Sequence, residues 1–389
     1  MPTEQNLIGR NMHTLLFMHI RHALKTGIAC LMAYWVSNLL NLQFALWAVI
    51  STIIAMQGLS VADSVQHSLM RFSGMGIGAV IGMGLLLIAP DSPILLGLEL
   101  FAITSLGAYL MRYGLRYMLA STAMCIMLLG GKMMQHSPQA MSGAVDMADP
   151  IIYGLILVAE VAIGVACALL VSVTLWPVRL GDTLRDDLNS QLGHCADLLD
   201  RVVDNYLDEQ THLSYKLVEA LTLQTWSNHE RMNKVRTVEA HIYRYEHKGL
   251  RLQVKAIDRS VEALNGLLDA LNEYDEEPLA PMLGTEIRAL ADGLISALHH
   301  LAGEEAYAQA TGIVRDISDG VVNAEQRLGQ LRKTDEFREL PLHRVLQLYA
   351  FYQILRHLSE ELLLIMHNMR SLAEKPVKKR KRRHRLVHK

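Results

Sequence analysis

Glu160 is a carboxylate placed where the sequence offers it no water. It stands about ten residues into the apolar run 151–176, well away from either end. An ionisable group in such a run is costly and is a functional hypothesis by default. A buried carboxylate can take up and release a proton; a structural acid tied to a polar neighbour fits Glu160 equally well. Glu99, some seven residues into the run 93–111, admits the same two readings in weaker form. Arg71, Arg112 and Arg116 lie at the ends of other apolar runs. A ring of positive charge attracts anions, but the same residues can merely orient the helices. Asp63, His67 and Arg71 recur every four residues, which puts them on one helical stripe. They could form a polar gate or the ordinary pairs of an interfacial helix.

Other chemistry is poorly supplied. Cys30, Cys125, Cys167 and Cys195 form no CxxC pair, and three of them sit inside apolar runs. Small buried hydrophobes describe them better than a disulfide framework or a zinc site. Met118, Met124, Met127, Met133 and Met134 cluster without an accompanying cysteine or histidine pattern, which favours adaptable packing over a copper route. No phosphate-binding loop and no Ser/His/Asp order is found. Neither an enzyme, a cofactor nor a metal is expected.

The elements that must hold these residues divide the chain in two. Residues 1–176 hold seven Lys/Arg and seven Asp/Glu; residues 177–389 hold thirty and thirty-two. The first part suits lipid and the second suits water. The net charge of −2 sums unlike halves and says little about partners. A membrane-spanning helix needs about 20 mostly apolar residues. Runs of that kind fall at about 23–40, 44–62, 72–89, 93–111, 117–134 and 151–176. The polar residues 1–21 form a segment before the first of them, without the small-residue cleavage site of a removed leader. The Lys/Arg-bearing loops alternate with 41–43, 90–92 and 135–150, which contain none. Positive loops face the cytoplasm, so six spans place both termini inside. Gly74, Gly78 and Gly82 share a helix face; small residues at this spacing let helices touch in lipid, or line a narrow path with backbone.

The second part reads as helix throughout. Leu188, Leu192, Leu199, Val203 and Tyr206 recur at helical spacing, as do Leu342, Leu346, Tyr349, Tyr352, Leu355, Leu358 and Leu362. Turn signals cluster at 275–284, near Gly303 and near 333–335. The expected fold is therefore all-α: a six-helix transmembrane bundle at 22–177, then a cytoplasmic bundle of five or six long helices at 178–374. Residues 177–374 carry twenty-one Lys/Arg against thirty-two Asp/Glu, whereas the tail 375–389 carries nine and no acid. Contact with anionic membrane lipid suits that tail better than nucleic acid. Docking on the acidic domain, or plain solvation, remains open.

Trp47–Ala48–Val49–Ile50–Ser51, followed by Leu69–Met70–Arg71–Phe72–Ser73–Gly74 and Gly78, resembles the signature of the fusaric acid resistance proteins and aromatic acid exporters. In that family a Trp-Ala-Val span leads to an Arg-x-x-Gly-Thr-x-x-x-Gly helix. Glu160, Gly164 and Leu175–Trp176–Pro177–Val178–Arg179 resemble the end of the same membrane unit. The likeness covers roughly residues 20–190. Met75 stands where threonine is usual, and Leu157, three before Glu160, stands where related exporters often carry arginine.

The resemblance implies export of aromatic carboxylic acids or similar organic anions across a bacterial inner membrane. It implies a homodimer or higher homo-oligomer and, for some members, a periplasmic adaptor protein. It adds Trp47 to Asp63, Arg71, Arg112 and Arg116 as substrate-binding or gating candidates, with Glu160 and Glu99 for proton coupling. Three functions stay open: an exporter driven by the proton gradient or membrane potential, an anion channel gated by the soluble domain, and a membrane-anchored scaffold.

Overall fold

The computed structural model describes residues 4–42, 45–58, 60–88, 92–135, 149–208, 216–243, 247–272, 280–303, 310–333, 337 and 340–374. The basic tail, most of the loop 135–150 and the turn residues 273–279 and 334–335 lie outside these. Every regular element among the described residues is helical, so the all-α reading holds. The chain divides into two compact units, Met1–Leu180 and Gly181–Lys389.

The first unit contains α1 Glu4–Leu39, α2 Ala45–Ala55, α3 Val61–Ile88, α4 Pro93–Leu110, α5 Leu115–Gln135 and α6 Asp149–Thr174. α1 stops in a Schellman turn. Leu42 N–H donates to Ser37 O and Asn41 N–H to Asn38 O, with Asn41 in the left-handed conformation at φ 52°. Gly114, at φ 152°, turns the chain between α4 and α5 through a backbone that favours glycine. α6 ends just before Trp176, itself at φ 43°, and Pro177 prevents its resumption.

Two expectations about the spans need correction. The run 44–62 is not one crossing helix. α2 has 11 residues, about 16 Å of helix, against a hydrocarbon core of about 30 Å. A new helix begins at Val61 rather than near residue 72, because Ser60 and Asp63 make a cap. Asp63 N–H donates to Ser60 Oγ at 3.1 Å, and Ser60 Oγ–H donates back to Asp63 Oδ2 at 2.7 Å. A hydropathy average cannot see this, since the first turns of α3 are polar yet periodic. Non-helical backbone at membrane depth must be covered by protein. Met56 and Ser60, on either side of the break, are buried.

Among the described residues three helices, Val61–Ile88, Pro93–Tyr113 and Gly154–Thr174, are long and apolar enough to cross a membrane. α1 and α5 carry more polar residues, Lys25 and Lys132 among them. The core of this unit lies where α1, α2 and α6 meet, around Ala29, Ala55 and Ala168, and where α3, α5 and α6 meet, around Met75, Ala123 and Val161. α4 packs chiefly on α5, with Gly107 against Ser121. Of its residues only Gly107 is buried. Ile94, Leu95, Leu98 and Phe101 stand exposed, which suits lipid.

The second unit contains six long helices among its described residues. They are α7 Leu180–Asp208, α8 Lys216–Lys234, α9 Lys248–Asn272, α10 Ala280–Ala302, α11 Ala310–Leu331 and α12 Leu342–Glu374. α8 continues into a π-helical turn, Val235–Glu239. Each helix buries one apolar stripe; on α9 it is Leu250, Val254, Ile257, Val261, Leu264 and Leu268. Tyr206 of α7 stacks on Phe351 of α12 at 4.0 Å. Arg288 binds Asp200 and Asp204 of α7 as well as Asp292 on its own helix. Gly181 N–H, at the start of α7, donates to the buried Glu239 carboxylate at 2.9 Å.

Cys195 is fully buried on α7, and burial pushes its thiol up to about 12. The raised value leaves the reactive thiolate scarce at pH 8. Maleimide at that pH should therefore spare Cys195 in the folded protein and modify it fully in denaturant, as peptide mass mapping would read. Equal labelling in both states would contradict this burial.

Candidate functional site

α6 supplies the centre of the site. Leu157, Glu160, Val161, Gly164, Ala168, Val171 and Ser172 are buried along it at spacings of about three and four. Glu160 is fully buried on this stripe. One turn above it, Gly164 lies against the Ala48 carbonyl and Ser51 of α2. Thr52 Oγ–H donates to Gly164 O at 3.0 Å. One turn below it, Leu157 packs with Ala79 and Met127, and the half-buried Trp47 lies against this cluster.

α3 supplies the cation. Arg71 is only 3% exposed, inside a unit of largely apolar helices. Its Nε has no hydrogen-bond partner among the described residues. The hydroxyls of Ser51, Ser68 and Ser172 are buried and likewise unpartnered there. Buried donors without acceptors are unusual in folded proteins and ask for an explanation such as an ion or water. A buried guanidinium with a spare donor suits an oxyanion.

The other candidates have different surroundings. Arg112 is exposed, donates to the Tyr113 hydroxyl at 2.8 Å, and lies over the Tyr109 and Tyr113 rings. Arg116 is exposed and lies 5.5 Å from the Tyr117 ring centre. These are cation–π seats at the surface rather than members of a buried ring. Asp63 is half-buried and caps α3, while His67, one turn on, is half-buried too. Glu99 stands on α4, which packs chiefly on α5, so it does not join Glu160 on α6. Its Oε2 is occluded and lacks a hydrogen-bond partner among the described residues.

Gly74, Gly78 and Gly82 all meet α5. A Cβ on Gly74 would lie 2.7 Å from the Arg116 carbonyl oxygen, and one on Gly82 would lie 2.8 Å from Met127 Cβ. One on Gly78 would collide with the Ala120 carbonyl. The order of these contacts makes α3 and α5 parallel neighbours.

Sequence reasoning did not single out Lys25 as a site residue. It is 4% exposed, and its Nζ donates to Ser172 O at 2.9 Å. Lys132 is also buried. The available signal was position: Lys25 falls within the apolar half of α1, where a purely orienting charge is not needed.

Crossing-length apolar helices with buried charges inside them mark a membrane protein. The chain belongs to the fusaric acid resistance protein family, whose sequence profile matches residues 19–389. That family is associated with membrane transport and resistance. The match extends through the second unit, beyond the 20–190 region that the motifs covered. No curated protein matches the chain.

Proposed function

We propose that this chain exports aromatic carboxylic acids or related organic anions across the bacterial inner membrane. The observation that carries the reading is Arg71: a buried guanidinium, short of acceptors, within the membrane unit. An anion entering from the cytoplasm would supply those acceptors. Release outward is already favoured by the membrane potential, by about 2.3 kcal/mol per charge per 100 mV. Glu160, fully buried on α6, is the group we assign to proton exchange. Both termini are cytoplasmic in this reading, with α2 and the break after it together returning the chain between α1 and α3. A homo-oligomer would complete the path, and a periplasmic adaptor could continue it outward.

The test is acid susceptibility of a deletion strain carrying wild-type or variant chains, with transport in inverted vesicles. Glu160→Gln should lose the response of transport to an imposed pH gradient while keeping its response to membrane potential. Full gradient-driven transport by this variant would remove Glu160 from coupling. Currents across a planar bilayer without any pH gradient would favour a channel instead.

A further inference from the structure

We infer that the soluble unit carries its own binding site for a small organic polyanion. The site is an open cleft of about 920 Å³, walled by α8, the π turn, the start of α9 and the end of α12. It lies at the upper end of the volumes that hold small ligands. Four cations line it, Arg236, Lys248, Arg251 and Lys255, together with His229. Asp258 is the one carboxylate among the lining residues. This reverses the balance of residues 177–374, where thirty-two acids outnumber twenty-one Lys/Arg. A domain acidic as a whole has concentrated positive charge in one concavity, which focuses its field on anions.

The internal pairing leaves part of this charge available. His229 Nε2 lies 2.8 Å from Asp258 Oδ2, and Lys255 Nζ donates to Glu361 at 2.7 Å. Arg236 donates to the neutral Asn233 side chain at 3.1 Å. Lys248 and Arg251 are exposed and have no ion pair among the described residues. Arg236 belongs to the π turn, a distortion that recurs at functional sites. Three cations without a carboxylate partner among the described residues call for a ligand with at least two anionic groups. Carboxylates and phosphates share the oxygen geometry that Arg251 and Arg236 can clasp. The occupant is a water-soluble molecule of that chemistry, and its binding does not rest on the transport reading.

The full chain, purified in detergent, is titrated calorimetrically with citrate and with pyrophosphate, using benzoate as the monoanion. Citrate or pyrophosphate should bind at a single site per chain, raise the melting temperature, and outcompete benzoate. Lys248→Ala combined with Arg251→Ala should weaken binding by about tenfold or more, since each charged hydrogen bond contributes at least that order. Both side chains are exposed, so the unliganded melting temperature should not move. Arg236→Gln should weaken binding as a second, separate variant. A chain ending at Glu374 lacks the basic tail and should retain wild-type affinity. The inference is overturned by unchanged affinity in both cleft variants, or by loss of binding in the shortened chain. Failure of both anions to bind, or binding only to vesicles of anionic lipid, overturns it equally.

Discussion

Arg71→Ala should abolish the resistance that the wild-type chain confers on a deletion strain and slow efflux of an aromatic acid by about tenfold or more. The magnitude follows from losing charge-assisted hydrogen bonds to the anion, at about 1.5–3 kcal/mol each, where about 1.4 kcal/mol is a factor of ten. Stability should move in a different way. Arg71 is 3% exposed and its Nε is unpartnered among the described residues, so removing it relieves a desolvated charge as well as opening a void. The melting temperature in detergent should therefore fall little while transport is lost. Arg71→Lys keeps the charge but not the planar fork, and should restore part of the rate. Immunoblotting of membranes fixes the amount of protein. Wild-type efflux by Arg71→Ala at equal abundance would place the anion elsewhere.

Gly78→Ala should be among the most damaging single-methyl changes in the membrane unit. The added carbon would fall onto the Ala120 carbonyl group of α5, and backbone cannot swing aside as a side chain can. Forcing the helices apart costs about 1–3 kcal/mol in an ordinary core, and more where backbone must move. Gly76 and Gly84 lie on the same helix, and a methyl added to either would have no neighbour within 4 Å. Gly76→Ala should thus be neutral or slightly stabilising, by up to about 1 kcal/mol from helix propensity. Thermal midpoints of the two variants in one detergent make the comparison. Equal shifts would mean that the stripe is not a packing surface between α3 and α5.

Much of the fold was legible because helical periodicity and the division between apolar and charged sequence are local properties. The apolar lengths of α3, α4 and α6 read directly as crossing helices. The break between α2 and α3 was written less plainly. Its signal is the Ser60-x-x-Asp63 cap inside a run that averages as one hydrophobic stretch. Site residues divided for a different reason. Sequence spacing puts a residue on a helix but does not say which face meets protein. Arg71, Arg112 and Arg116 look alike in the sequence, yet Arg71 is buried while the other two lie over tyrosine rings. Lys25 shows the opposite failure, since a charge not singled out from the sequence lies inside and holds the Ser172 carbonyl. The cleft of the second unit draws its cations from the π turn and α9, and its remaining walls from α8 and α12. Only the tertiary fold brings these elements together.

The hydrogen bond from Gly181 to Glu239 has a practical bearing on anyone who wishes to excise the second unit. The carboxylate is fully buried and draws one of its donors from a residue fifty-eight positions earlier. A fragment begun after Gly181 would withdraw that donor from the carboxylate and remove the first two residues of α7. Starting upstream, before Val178, keeps the clasp intact at the expense of a few extra polar and apolar residues. The natural cut site is therefore on the membrane side of the boundary, not at it.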